Sequence, residues 1–454
     1  MRTAGVGPDA AVVRPAPRLR GEPRLPGDKS ISHRALMLAL LAPGESRIDG
    51  AGDGADVRST AGIVEALGGS VERSAGSNGT VDYRVASPGA DGLHQPTEAL
   101  DCGNSGTSLR LFAGLLAGLP MTATLDGDES LRRRPVARII EPLRSMGAVL
   151  RARQDDSLPP VTVTGRRPLH AVDLAPAVPS AQVKSAILLA ALRAEGVTTV
   201  REAVATRDHT ERMLRARGVA VRSESGAGGS VVVSMEGGGR VQPIDERVPA
   251  DVSAAAFWLV AAAIHPDAEL TLRNVGVNPT RRAVIDLLRA MGADIDERPL
   301  DTHGDGATEA GVGEPRADLV IRSSQLRGID VGPAEVAAAI DEIPVLCLAA
   351  AVADGPTTIR GAGELRHKES DRIAGIVAGL SALGAAVDVD GNDITVHGNS
   401  RLAGSLTDSR DDHRLAMTFG IAGLVATGET RVGRPASASI SYPGFFAELE
   451  RVRA

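Results

Sequence analysis

The chain has 454 residues, 43% of them apolar and 24% charged, with a formal net charge of −7. This is the balance of a folded chain of two large or about three ordinary domains, not of a disordered or polyanion-coating one. One Trp, two Tyr and five Phe leave the core to Ala, Val, Leu and Ile and nearly exclude aromatic platforms for stacking nucleic-acid bases, while Cys102 and Cys347 are too few for a disulfide framework or a zinc ribbon.

The first 25 residues mix Arg, Pro, Asp and Glu without the apolar core of a secretory signal. Apolar runs such as 254–264 fall below the ~18 residues of a membrane span, so a cytoplasmic protein without membrane contact is expected. Two β-like runs, 11–13 and 23–25, come first. Six Ala/Leu-rich segments then recur at 28–41, 103–117, 180–192, 251–264, 334–352 and 410–425, their starts spaced 75, 77, 71, 83 and 76 residues apart. Each is followed by a Gly or Pro turn and a short β-like run, and five continue into an amphipathic stretch closed by a Gly-led strand. This predicts repeated α/β units of about 75 residues in which the first helix, apolar nearly all round, is buried and the second lies outside. The long spacing contains a polar loop over 301–315. The sixth unit is short, and the two N-terminal runs are expected to complete it. Repeats 1–3 then form one lobe, 28–248, and repeats 4–6 with the N-terminus a discontinuous lobe, 1–27 and 249–454.

The starts of several of these helices combine Ser, Thr, Asn or Gly with a cation: Lys29, Ser30 and Arg34; Asn104, Ser105, Gly106, Thr107 and Arg110; Ser180, Gln182 and Lys184. Helix N-termini offer free N–H groups and partial positive charge to phosphates and carboxylates, although Ser and Asn there also serve as ordinary caps. Lys occurs only three times, as Lys29, Lys184 and Lys368, against 47 Arg. Lys, unlike Arg, is a compact cation that can give up a proton. Asp341 is expected inside an otherwise apolar helix, AAAIDEIPVLCLAA, where a carboxylate is costly without a partner; Glu342 beside it is a rival for any proton-transfer role. Arg132 and Arg133 read as a solvated charged face. Asp411, Asp412 and His413 are consecutive and so diverge on a helix, which argues against a metal site.

In order along the chain, GDKSISHRA, GNSGTSLR, GDESLRRRP, SAQVKSAILLA, TRDHTERML, RHKESDR, DDHRLAM and SYPGFF resemble the motifs of the enolpyruvylshikimate phosphate synthases. The resemblance implies an α/β (α+β) fold of two lobes, each of three βαββαβ units, with the active site in the interdomain cleft. It implies transfer of the enolpyruvyl group of phosphoenolpyruvate to the 5-hydroxyl of shikimate 3-phosphate through a tetrahedral intermediate, releasing phosphate. Implied partners are these two small molecules alone, with no metal or organic cofactor and the chain a monomer. By the same resemblance, Lys29, Ser30, Arg34, Ser180, Ala181, Gln182, Arg207, Asp341 and Lys368 bind shikimate 3-phosphate. Lys29, Gly106, Arg134, Arg372 and Arg414 bind phosphoenolpyruvate, where a Cβ on Gly106 would crowd the small anion and the inhibitor glyphosate. Asp341 takes the hydroxyl proton, Lys368 and Glu369 serve near the hydroxyl and C3, with Glu369 shuttling the C3 proton, and Lys29 assists the leaving phosphate. Phosphate monoesters carry about −1.5 to −2 at pH 7, so the substrates together bring roughly −5 to −6, a charge the seven motif cations balance.

Two positions depart from the family pattern. Ala181 stands where some members have Ser, and Ile440 precedes SYP where many have Lys. Alternatives are a UDP-N-acetylglucosamine enolpyruvyl transferase, which typically uses a Cys on a mobile loop, and a non-catalytic anion-binding protein of the same fold. Neither Cys102 nor Cys347 resembles that loop.

Overall fold

The computed structural model describes residues 10–300 and 313–453, and these form two compact units. Of these, the first takes 27–248 with 313–314, and the second takes 10–26, 249–300 and 315–453. Most of the polar loop expected over 301–315 lies outside the described residues.

In the first unit three four-stranded sheets repeat one topology. Their strand orders are Glu246–Arg247, Pro43–Ala51, Val81–Pro88, Ser70–Ala75; then Leu100–Asp101, Thr122–Asp126, Leu158–Thr164, Val149–Ala152; then Asp173–Leu174, Val197–Glu202, Val231–Glu236, Val221–Ser225. In each, the first strand runs parallel to the second and the remaining pairs are antiparallel. The second unit repeats the pattern in Leu19–Gly21, Ala268–Gly276, Arg316–Arg322, Asp294–Pro299 and in Asp330–Val331, Thr357–Ile359, Asp393–Val396, Val387–Asp390. It closes with a three-stranded sheet of Leu406–Asp408, Thr430–Gly433 and Ala10–Val13. The first N-terminal run thus completes the sixth repeat. The second expected run, 23–25, is not a strand: Leu19–Gly21 pairs instead, and it joins the fourth repeat's sheet through Ala268–Gly276. Glu246–Arg247 does the reciprocal thing, pairing with Pro43–Ala51 of the first repeat.

Each unit wraps its sheets around three buried helices. In the first these are Lys29–Leu41, Gly106–Ala117 and Ala181–Ala191. A Cβ on Gly114 would stand 2.2 Å from Ala186 O, so the latter two cross with backbones in contact, which only glycine permits. In the second unit they are Val252–Ile264, Ile343–Val352 and His413–Val425. Amphipathic helices such as Ala55–Ala66, His209–Ala216 and Arg372–Ala382 pack against the buried helices with their apolar sides turned inward. The SYPGFF segment packs into the core: Phe445 lies 6.0 Å from the Phe257 ring and 5.9 Å from Trp258, and Trp258 Nε1 donates to the Tyr442 hydroxyl at 3.1 Å.

The fifth buried segment differs from the single helix expected over 334–352. It is two helices, Pro333–Ala338 and Ile343–Val352, with a turn between. Pro344 supplies the reason: inside a continuous helix its ring would clash one turn back and remove a hydrogen bond, whereas in a first turn it costs nothing. Asp341 is therefore not inside an apolar helix but in the turn ahead of one, with Glu342 at the N-cap.

Candidate active site

In the first unit the motif residues gather at the starts of the three buried helices, each capped by a side chain from just outside: Asp28 accepts from Ile31 N–H, Ser105 from Ser108 N–H and Ser180 from Val183 N–H. Lys29 opens its helix with Nζ 3.2 Å from Asp56 Oδ2. Ser30 follows, half-buried, and one turn on Arg34 is buried, donating from Nε to Thr210 Oγ1 at 2.7 Å, from Nη1 to Ser30 O at 2.9 Å and from Nη2 to Ser185 Oγ at 2.8 Å. Burial pulls its guanidinium down to about 10, opposed by Glu211 and Asp28 and aided by the nearby charge of Arg207. Arg207 is half-buried in the segment before the helix His209–Ala216.

A second constellation surrounds Gly106, the first residue of its helix. Arg110, one turn on, is buried and donates to Gln182 Oε1 at 2.8 Å and to Pro135 O at 3.2 Å; burial, with Arg138 and Arg134 nearby, pulls it down to about 10. Gln182 in turn donates to Thr107 Oγ1 at 3.0 Å, and Arg134 donates to Asn104 Oδ1. The helix Ala181–Ala191 joins the two constellations, because Gln182 faces Arg110 and Ser185 faces Arg34. Arg132 and Arg133 pair with Asp126 and Glu129 at the surface, as a solvated face should.

In the second unit the motif residues meet around Arg372. Its side chain is 1% exposed and touches three carboxylates: Asp412 at 2.8 Å through Nε, Glu369 at 2.6 Å and Asp341 at 3.3 Å through its two terminal nitrogens. Burial opposes the charge, but Glu369, Asp412 and Asp341 outweigh it and hold the guanidinium above its usual range. Lys368 Nζ stands 3.8 Å from the same Asp341 oxygen. Asp341 and Glu369 keep 20% and 25% of their side chains exposed, so both remain reachable by a small molecule. Glu342 does not: it is sealed, with both oxygens 3.0 Å from Arg281 and a bond from Ser253 Oγ. Burial works against its charge, yet Arg281 holds its carboxyl below the usual range. Arg414 reaches Glu342 at 4.0 Å.

Sequence patterns did not single out Arg281, Ser253, Asp56 or Asp412 as partners of these groups. The pairs are remote in the chain, and NPTRRA carries no spacing that foretells a buried ion pair. Asp411, Asp412 and His413 do diverge: Asp411 pairs with Arg434, Asp412 caps its helix at Arg414 N–H, and His413 is buried. Among the described residues no group of three or more His, Cys, Asp or Glu is arranged to hold a metal ion. Both cysteines are buried, and burial pushes the Cys347 thiol up to about 12 and Cys102 higher still, so neither offers a thiolate near neutrality. Ile440 lies half-buried at the end of a short 3-10 turn, Pro435–Ile440.

Known proteins match this arrangement over nearly its whole length. A family model described as EPSP synthase (3-phosphoshikimate 1-carboxyvinyltransferase) matches residues 13–449. A 3-phosphoshikimate 1-carboxyvinyltransferase from Gloeobacter violaceus is 48% identical over 445 residues, 97% of this chain and 98% of that protein. One from Xanthomonas euvesicatoria is 47% identical over 434 residues, covering 96% and 94%. The solved structure of an EPSP synthase from Acinetobacter baumannii, 39% identical, superposes with a TM-score of 0.85 over 97% of this chain and 98% of that one.

Proposed function

The chain belongs to the EPSP synthase family, the 3-phosphoshikimate 1-carboxyvinyltransferases, and from that membership we propose how its residues carry the transfer of the enolpyruvyl group of phosphoenolpyruvate to the 5-hydroxyl of shikimate 3-phosphate. The observation that carries the assignment is Asp341, a reachable carboxylate held between Lys368 and Arg372 while the adjacent Glu342 is sealed against Arg281.

Lys29, Ser30, Arg34, Ser180, Ala181, Gln182 and Arg207 bind shikimate 3-phosphate, with Ala181 serving through its backbone. Asp341 and Lys368 meet the ring and its hydroxyls. Gly106, Arg134, Arg372 and Arg414, with Lys29, bind phosphoenolpyruvate. Cations already ordered by protein partners need little rearrangement when an anion arrives, and such preorganised charge is worth most at the transition state.

Asp341 accepts the proton of the attacking 5-hydroxyl. That oxygen bonds to C2 of phosphoenolpyruvate while a proton reaches C3 from the Glu369–Lys368 pair, giving the tetrahedral intermediate. Return of a C3 proton to the Glu369–Lys368 pair then re-forms the double bond as the C2–O–phosphate bond breaks, with Lys29 assisting the departing phosphate. Asp341 is suited to the first step because Arg372 and Lys368 orient its carboxyl group while 20% of its side chain stays exposed to meet a hydroxyl. The same reading takes the enzyme as a cytoplasmic monomer, and among the described residues no helix is long and apolar enough to cross a membrane.

A phosphate-release assay with both substrates tests the assignment. Asp341→Asn is expected to lower kcat by about 10²–10⁴-fold, with Lys29→Ala raising both KM values; full turnover in Asp341→Asn would end its role as base.

A further inference from the structure

Two of the three lysines, Lys29 and Lys368, belong to the proposed site. The third, Lys184, cannot touch a substrate, since its side chain is 2% exposed. It sits in the first turns of the helix Ala181–Ala191, where a cation opposes the helix dipole and burial opposes its charge. A buried ammonium in so unfavourable a position needs an account.

Its contacts supply one. Nζ lies 2.7 Å from Glu202 Oε2, 2.8 Å from Glu211 Oε1 and 3.4 Å from Thr206 O. Glu202 ends the strand Val197–Glu202 and Glu211 lies in the helix His209–Ala216, so the ammonium clamps both ends of the segment between them. Glu202 also accepts from Thr206 N–H at 3.4 Å and from Thr206 Oγ1. Thr206 is thus held at its N–H, its carbonyl and its hydroxyl, and the next residue is Arg207. Burial works against the ammonium, but Glu211 and Glu202 together hold it above the usual lysine range. Glu211, sharing that one cation with a second carboxylate, is pushed up by burial. The flanking residues extend the same frame to Arg34, since Ser185 and Thr210 accept its Nη2 and Nε donors.

We propose that Lys184 is a positioning residue for shikimate 3-phosphate binding, fixing the Arg207 segment against the Ser180–Gln182 turn so that both meet one phosphate. The proposal rests on the reading of Arg207 and that turn as contacts of this substrate. It also accounts for Lys at this position: Glu202 Oε2 and Thr206 O accept from one nitrogen while Glu211 Oε1 pairs with it at 2.8 Å, contacts that suit a compact ammonium better than a planar guanidinium fork.

Steady-state kinetics on Lys184→Met, Arg207→Ala, their double variant and Thr206→Val test it. Lys184→Met is expected to raise KM for shikimate 3-phosphate about tenfold, with kcat and KM for phosphoenolpyruvate changed less than about threefold. Adding Arg207→Ala to it should cost far less than Arg207→Ala alone, since the two act through one contact. Thr206→Val keeps the buried charges paired and should shift the same KM in the same direction, which covers the case in which Lys184→Met does not fold. An unchanged KM for shikimate 3-phosphate in Lys184→Met and Thr206→Val, or full additivity in the double variant, overturns the positioning role. An unchanged KM in Arg207→Ala overturns the underlying substrate assignment instead, and the proposal with it.

Discussion

Gly106 opens its helix without a side chain, and an added Cβ there would stand 2.7 Å from Nη1 of Arg110 and 3.7 Å from Nη1 of Arg134. From the sequence, this glycine reads as room for a small anion; the geometry adds that the first atom displaced is the end of Arg110, which also holds Gln182. Arg110 can swing, so Gly106→Ala should fold. Moving that guanidinium should weaken phosphoenolpyruvate binding and weaken glyphosate binding more, raising the inhibition constant by about tenfold, or about 1.4 kcal/mol. Inhibition constants for both proteins check this, and equal values would refute the steric argument. At this scale the sequence was informative where a residue contradicted its surroundings, as Asp341 does among apolar neighbours. It was silent on the pairing of Arg281 with Glu342, which join across 61 positions, because a pairing made only by the fold leaves no local spacing to read.

The buried helices were legible as elements because they are apolar on every face over three turns, a pattern no surface segment tolerates. Their breaks and pairings were less so. The fifth segment looks continuous by composition, and only Pro344 divides it. Leu19–Gly21 has too few residues to show alternation, and its partner strand is remote. What composition also hid is a polar thread between helices. His33, on Lys29–Leu41, is fully buried with Nδ1 2.7 Å from Thr60 Oγ1, which in turn meets Ser108 Oγ at 2.7 Å on Gly106–Ala117. Burial holds the imidazole neutral, pulling it from 6.5 down to about 3. An unfolded histidine takes up its proton near pH 6.5, so as pH falls from there towards 3 the unfolded chain gains a proton that the folded one refuses. Stability is complete above 6.5 and should fall by up to about 1.4 kcal/mol per pH unit within that window. Urea midpoints of the wild type and His33→Gln, followed from about pH 7 to about pH 4.5, should converge as pH drops. A constant difference would mean that His33 does not titrate between the folded and unfolded states.

At the scale of the whole chain, a spacing of about 75 residues was enough to foretell a repeated α/β unit, because each repeat must bury one helix and cover it with one sheet. What spacing could not say is which strand completes each sheet, since edge pairing is decided by three-dimensional proximity. The two units have separate apolar cores, and the second depends on residues far upstream for its last sheet. Ala10–Val13 pairs along its whole length with Thr430–Gly433, and Val13 packs so closely on Gly423 that a Cβ there would lie 2.8 Å from Val13 Cβ. Deleting residues 1–14 would therefore uncover the strand Thr430–Gly433 and one side of the helix His413–Val425, which carries Arg414. The first unit, whose core includes none of these residues, should be indifferent. Hydrogen exchange on the truncated chain is expected to lose protection in Thr430–Gly433 and the neighbouring turns of His413–Val425, while the amides of Gly106–Ala117 and Ala181–Ala191 keep theirs. Because both cores are built to the same plan, a uniform loss across the two units would mean that they unfold as one cooperative body, and unchanged exchange at Thr430–Gly433 would mean that the N-terminal strand adds nothing to the sheet it completes.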